Sequence, residues 1–162
     1  MTADSIAARL AAHPFTTGLT GSQLARLATA ASPVELATGE RVFDEGGPAD
    51  SLWLLTAGRI ALDLRVPGAA AVIIETLGPG DELGLSWVTP AARWQFGARA
   101  QLPTSAIRLG SARVVALCED DHELGYLLTT RLLRTAIARL QAARIRIIDL
   151  YASPRAAAGS RP

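Results

Sequence analysis

The chain has 162 residues, 49% of them apolar, and a formal net charge of +1. That length supports one domain with a core, and that apolar share excludes a wholly disordered chain. The near-zero charge excludes a field that would concentrate nucleic acid, no apolar run reaches the ~20 residues of a membrane helix, and the lone cysteine, Cys118, excludes an internal disulfide or a multi-cysteine iron–sulfur cluster.

The N-terminus carries Asp4 and lacks a basic segment followed by an apolar one, so no signal peptide is expected and a cytoplasmic location is. Residues 5–12 and 21–31 read as two short helices, with Leu10, Leu24, Leu27 and Ala28 as apolar stripes and Thr20 or Ser22 as a cap. From Val34 to Ile107 short apolar runs alternate with turn signals such as Thr38-Gly39, Gly46-Gly47-Pro48, Ala57-Gly58 and Pro67-Gly68. This texture predicts antiparallel strands near 34–37, 41–43, 52–56, 59–66, 71–77, 95–101 and 104–108. Helices return at 111–118 and, capped by Asp120 or Asp121, along a Pro-free run to Tyr151. Leu133, Ile137, Leu140, Ile147 and Tyr151 recur there at helical spacing and form an apolar seam. The order of elements predicts an α+β fold. The expected organisation is an N-terminal helical segment over 1–14, a domain over 15–151 and a disordered tail over 152–162. Within the domain the β section covers about 33–108 and helices cover 111–151.

Three segments carry a resemblance. Glu40 to Trp53 contains a strand, a Gly46-Gly47-Pro48 hairpin and a second strand. Ala57-Gly58-Arg59-Ile60-Ala61-Leu62 is a glycine turn into a strand, and Leu77 to Gly84 is a glycine-rich approach loop. In this order they resemble the cyclic-nucleotide-binding domain of the catabolite-activator and Fnr-type superfamily. The resemblance implies an antiparallel β-roll of jelly-roll type with N-terminal helices and a long C-terminal helix. It also implies a nucleotide pocket whose cassette runs from Leu83 to Arg99.

In that family backbone amides at a short helix start cradle the cyclic phosphate, an arginine pairs with it and a glutamate holds the ribose. Laid on the pattern without a gap, Gly84 falls on the loop glycine. Leu85 falls at the glutamate and Trp94 at the arginine, while Ala98 and Ala100 match small residues of the next strand. On the long helix Gln141 matches, but Ala143 and Arg144 replace the hydroxyl pair that reads adenine. Each lost charged partner costs ~1.5–3 kcal/mol, so tight cyclic-AMP binding is not expected. The cassette instead resembles a Gly-x-Ser-Trp and Trp-x-Phe variant, through Gly84-Leu85-Ser86-Trp87 and Trp94-Gln95-Phe96. These aromatics either fill a collapsed pocket or stack on a planar ligand, with Arg93 or Arg99 as the cation. The candidate ligand residues are Leu83, Gly84, Leu85, Ser86, Trp87, Arg93, Trp94, Gln95, Phe96 and Arg99, with Gln141, Ala143 and Arg144 on the helix.

Other chemistry finds little support. His13 and His122 are too far apart for a metal site, and neither is expected to hold a haem. Cys118 reads as a buried small side chain, and Ser86 lacks the second glycine of a hydrolase elbow. No catalytic residue, metal or cofactor is expected, beyond a cyclic or related nucleotide as ligand. The long helix carries Arg131, Arg134, Arg139, Arg144 and Arg146, read as a solvated face beside a homodimer seam. Only Ala152 to Pro162 follow it, so the helix-turn-helix of the activators is not expected, nor is sequence-specific DNA binding. The reading is a non-catalytic sensory module that binds a small anion weakly or atypically and signals to a partner protein. The alternatives are a ligand-free dimerisation or scaffold subunit, and a transcription regulator of the Crp/Fnr type.

Overall fold

In a computed structural model, residues 3–88 and 92–152 are described. They divide into two compact units, Met1–Leu128 and Thr129–Pro162. Of the expected tail, 153–162 lie outside the described residues.

The first unit starts with α1 (Ala3–Ala11), a 3₁₀ turn at Pro14–Thr16 and α2 (Gly21–Ala28). Thr20 caps α2 through a reciprocal pair: its hydroxyl accepts from Gln23 N–H at 3.2 Å, and its own N–H donates to the Gln23 amide oxygen at 3.0 Å. The sequence predicts helix to residue 31, yet the chain is already β at Ala31. Pairing of Ala31–Leu36 against Leu109–Thr104 supplies a full antiparallel ladder, which outweighs alanine's helix propensity.

Six strands follow: β1 (Ala31–Leu36), β2 (Arg41–Phe43), β3 (Ser51–Leu64), β4 (Val72–Leu77), β5 (Glu82–Leu83) and β6 (Gly97–Gly110). All pairs are antiparallel, in the order β1-β6-β3-β4, with β2 on β6 and β5 on β3. The expected α+β roll is present. Two of its expected breaks are not, because 52–56 with 59–66, and 95–101 with 104–108, run as the continuous strands β3 and β6. Register shifts between Leu55 and Ile60 absorb the bend. Gly58 sits there at φ +87°, and any Cβ would collide with the Pro103 carbonyl and the Thr104 side chain. The glycine bends a strand instead of ending it.

The core of the roll joins Trp53, Leu55, Ile60 and Leu62 of β3 to Ala98, Ala100 and Ala106 of β6, with Leu36, Leu77, Leu83 and Trp94. Leu52 and Leu54, alternating with Trp53 and Leu55, are also fully buried, so this stretch of β3 is covered on both sides.

His13 ties the N-terminal arm to β3. It is 3% exposed. Its Nδ1 accepts from Phe15 N–H at 3.2 Å, which leaves the proton on Nε2 to donate to the Leu55 carbonyl at 3.1 Å. Burial lowers its pKa, against the opposing pull of that hydrogen bond and of Asp81. The same carbonyl accepts from Gly80 N–H at 2.8 Å, so arm and approach loop share one anchor.

α3 (Ser111–Asp120) and α4 (His122–Ala152) close the chain. Asp121, one of the two expected caps, accepts from Leu124 N–H at 3.0 Å, and that bond leads the lowering of its pKa. Cys118 is half-buried, and burial, then Asp121 and Glu119, raise its thiol pKa, which disfavours a reactive thiolate. In the second unit Leu133, Ile137, Leu140, Ile147 and Tyr151 are exposed, together with Ile145 and Ile148. Gln141, Ala143 and Arg144 are exposed on the same helix.

Candidate functional site

The approach loop is fixed by its own polar groups. Asp81 accepts from Gly78 N–H at 2.7 Å and donates its own N–H to the Gly78 carbonyl at 3.1 Å. This turn delivers β5 onto β3, with Leu83 opposite Trp53. Gly84 follows at φ +95°, where a Cβ would lie 2.8 Å from the Ser51 carbonyl and 3.1 Å from the Trp53 ring. Both the backbone conformation and the indole above it demand glycine here.

Leu85–Val88 form a 3₁₀ turn. The Ser86 hydroxyl accepts from Gln95 N–H at 3.4 Å. Trp87 packs against the roll's core, and its indole N–H is buried without an acceptor among the described residues. The cassette then returns along the Gly46–Ala49 hairpin. Trp94 N–H donates to the Gly47 carbonyl at 2.9 Å, Gly46 N–H to the Trp94 carbonyl at 2.8 Å, and Pro48 bridges Arg93.

That pairing sets which way each side chain points, because neighbours alternate across an extended segment. Arg93 is exposed and donates to the Gly46 carbonyl at 2.8 Å. Gln95 is exposed and donates to the Arg93 carbonyl at 3.2 Å, and Phe96 is exposed. Trp94 turns inward and is 4% exposed. Its ring stacks on Phe43 at 4.0 Å and 16°, and lies 5.6 Å from Trp53, itself 5.3 Å from Phe43. Such contacts add ~0.5–1.5 kcal/mol per pair beyond the area they bury. The Arg108 guanidinium lies 6.0 Å from the Trp53 ring centre, and Arg108 also binds Ser51 and Asp50.

The structure thus gathers Leu83, Gly84, Leu85, Ser86, Trp87, Arg93, Trp94 and Gln95 around one turn and its return segment. It does not bring Arg99 with them. Ala98 and Ala100 point into the core, so Arg99 projects from the opposite face of β6, where it donates to the Gly39 carbonyl at 3.0 Å. Sequence reasoning named no role for Phe43 or Trp53, the two rings that hold Trp94. Their signal was the aromatic residue on each strand flanking the Gly46-Gly47-Pro48 hairpin.

Chemically the cassette presents donors and apolar faces. Among the described residues, no group of three or more histidine, cysteine or carboxylate side chains is placed to hold a metal ion.

The cyclic nucleotide-binding domain family model matches residues 33–121, more than half of the chain. The chain belongs to that family. The CRP-like cAMP-activated global transcriptional regulator of Mycobacterium tuberculosis (strain CDC 1551 / Oshkosh) is 29% identical over 104 residues, covering 64% of this chain and 42% of that protein. The chain therefore spans less than half the length of that relative. Among solved structures, a Geobacter metallireducens GS-15 protein of the cyclic nucleotide-binding class aligns at TM-score 0.72 and 28% identity, over 82% of this chain and 96% of that one. A cyclic nucleotide-binding domain from Methylobacillus flagellatus KT aligns at TM-score 0.76 and 20% identity, over 91% and 83%, and shows the shared fold. No helix among the described residues is long and apolar enough to cross a membrane.

Proposed function

We propose that this chain is a non-catalytic regulatory module whose inherited nucleotide site takes cyclic nucleotides only weakly, with output through protein contacts. The observation that carries the reading is Trp94. It stands at the position the family resemblance assigns to the phosphate-binding arginine, and its ring is buried against Phe43 instead of meeting an anion. Leu85 adds a second missing partner. What remains at the rim for a planar anion is the Ser86 hydroxyl and the outward Arg93, since the Trp87 indole N–H is buried. Two lost charged hydrogen bonds weaken binding by about 3–6 kcal/mol, or about two to four orders of magnitude.

Calorimetric titration with 3′,5′-cyclic AMP and cyclic GMP tests this. The expected result is binding no tighter than the high micromolar range for the natural chain, and a gain for the Leu85→Glu, Trp94→Arg double variant. Submicromolar binding by the natural chain would overturn the reading.

A second reading, a dimerisation or scaffold subunit without ligand, is favoured by the inward packing of Trp53 and Trp94. Both readings share a homodimer through Leu133, Ile137, Leu140, Ile147 and Tyr151, exposed in the single chain. Sedimentation should give a dimer, and Leu140→Arg should give a monomer of unchanged helix content. Calorimetry separates the readings, since the scaffold should release no heat with any nucleotide.

A further inference from the structure

A second recess lies on the outer face of the roll. Its volume is about 560 Å³, and Arg41, Asp44, Asp63, Arg65 and Arg99 stand around a floor of Ala61 and Ile73. That volume falls in the range of small-molecule sites. None of the residues from Leu83 to Phe96 lines it.

The charges there are ordered by bonding. Asp63 grips Arg41 through both carboxylate oxygens. Arg41 reaches it by lying across Gly97, where any Cβ would coincide with the guanidinium. Asp44 sits between Arg41 Nε at 3.0 Å and Arg65 Nη2 at 3.1 Å. Both carboxylates are thus committed, which argues against a cation as ligand. Three guanidinium groups face two carboxylates. Arg99, directly opposite Ala61 in the ladder, has the Gly39 carbonyl as its one hydrogen-bond partner among the described residues. A guanidinium has five N–H donors, so most of this fork is open toward the recess. Ala61, itself 3% exposed, is a small buried side chain at the bottom of the recess, and Ile73, 55% exposed, gives one apolar wall.

We propose that this recess is an anion site, independent of the nucleotide cassette, for a small phosphate monoester or carboxylate with a short apolar body. Arg99 holds the oxyanion as a bidentate fork, and Arg65 flanks it. The apolar body lies on Ala61 and Ile73. Arg41 is a positioning residue: its pairs with Asp63 and Asp44 keep both acids away from the bound anion.

Nuclear magnetic resonance of the full chain, reading arginine Nε–Hε and backbone amide signals, tests the site with phenyl phosphate, hexanoate and inorganic phosphate. Phenyl phosphate should shift Arg99, Arg65 and Ile73 and saturate in the low millimolar range, with inorganic phosphate about threefold or more weaker for want of the apolar contact. Hexanoate in place of phenyl phosphate as the tighter ligand would still support the site and identify its head group as carboxylate. Arg99→Gln should weaken binding about tenfold or more, while Arg113→Gln, at an exposed position that does not line the recess, leaves it unchanged. Shifts that fail to saturate, that persist in Arg99→Gln, or that potassium chloride reproduces would overturn the proposal. Because Arg99 is read directly, failure here leaves the cassette reading standing, and failure of the cassette reading leaves this one.

Discussion

The two faces of β6 carry opposite chemistries a single residue apart. Inward, Ala98 and Ala100 lie beneath an aromatic cluster, with Trp94 just ahead of the strand. Outward, Gly97 and Arg99 belong to a layer of guanidinium and carboxylate groups. The inner face is held by burial, which salt does not screen. The outer face is held by paired charges, which depend on geometry and weaken as salt rises. The position that the resemblance gives to the phosphate-binding arginine thus holds the inward Trp94, while the guanidinium groups gather on the outer face.

The largest blow to this contrast falls inside. Trp94→Ala removes a buried indole from between Phe43 and Trp53 and should cost about 3–5 kcal/mol, read as a lower urea midpoint. A loss below about 1 kcal/mol would mean that the ring is not core. On the outer face, Asp63→Ala strands the partly buried Arg41 and should cost about 2 kcal/mol, less than a fully buried pair because Arg41 is part-exposed. Gly97→Ala should act in the same direction with no change of charge, by displacing the guanidinium.

A third test uses pH. His13 has a lowered folded-state pKa, so the folded protein binds fewer protons than the unfolded chain below the ordinary value of 6.5. Its contribution is complete above that value and is lost as pH falls from there toward the folded pKa, with a slope of at most about 1.4 kcal/mol per pH unit. His13→Gln should flatten this limb in urea titrations run between pH 7 and pH 5. The smallest effect is expected from Asp44→Asn. Its carboxylate is exposed and held below its ordinary pKa chiefly by the Arg41 hydrogen bond, so the change should be slight and vanish in high salt.

Much of the architecture was legible because turn chemistry and alternation are local. The caps were narrowed to Thr20 or Ser22 and Asp120 or Asp121, the glycine series predicted antiparallel strands, and the resemblance supplied the roll. Gly58 shows the limit. A Gly turn signal reads as a strand end, but only the partner strand reveals a bend passed through without loss of pairing. β5 escaped because two residues carry no period. In the cassette, sequence placed Trp94 on the arginine position but left its direction open between filler and platform. Direction came from the hydrogen bonds to Gly46 and Gly47, which no spacing rule encodes. Arg99, one of two cations offered for the cassette, lies on the other face of β6 for a related reason: strand parity depends on where β6 starts, and a start at 95 did not fix which side the guanidinium takes. His13 was weighed only as a metal ligand. Its role rests on Phe15 and Leu55, the second of them 42 positions away.

The tight grouping of Trp53, Trp94 and Phe43 also makes the molecule its own spectrometer. Two indoles 5.6 Å apart at a 46° tilt couple their electronic transitions. The native roll should therefore display a near-ultraviolet dichroism that disappears when the rings separate, even if backbone structure persists. No dye or tag is required to watch the interior open.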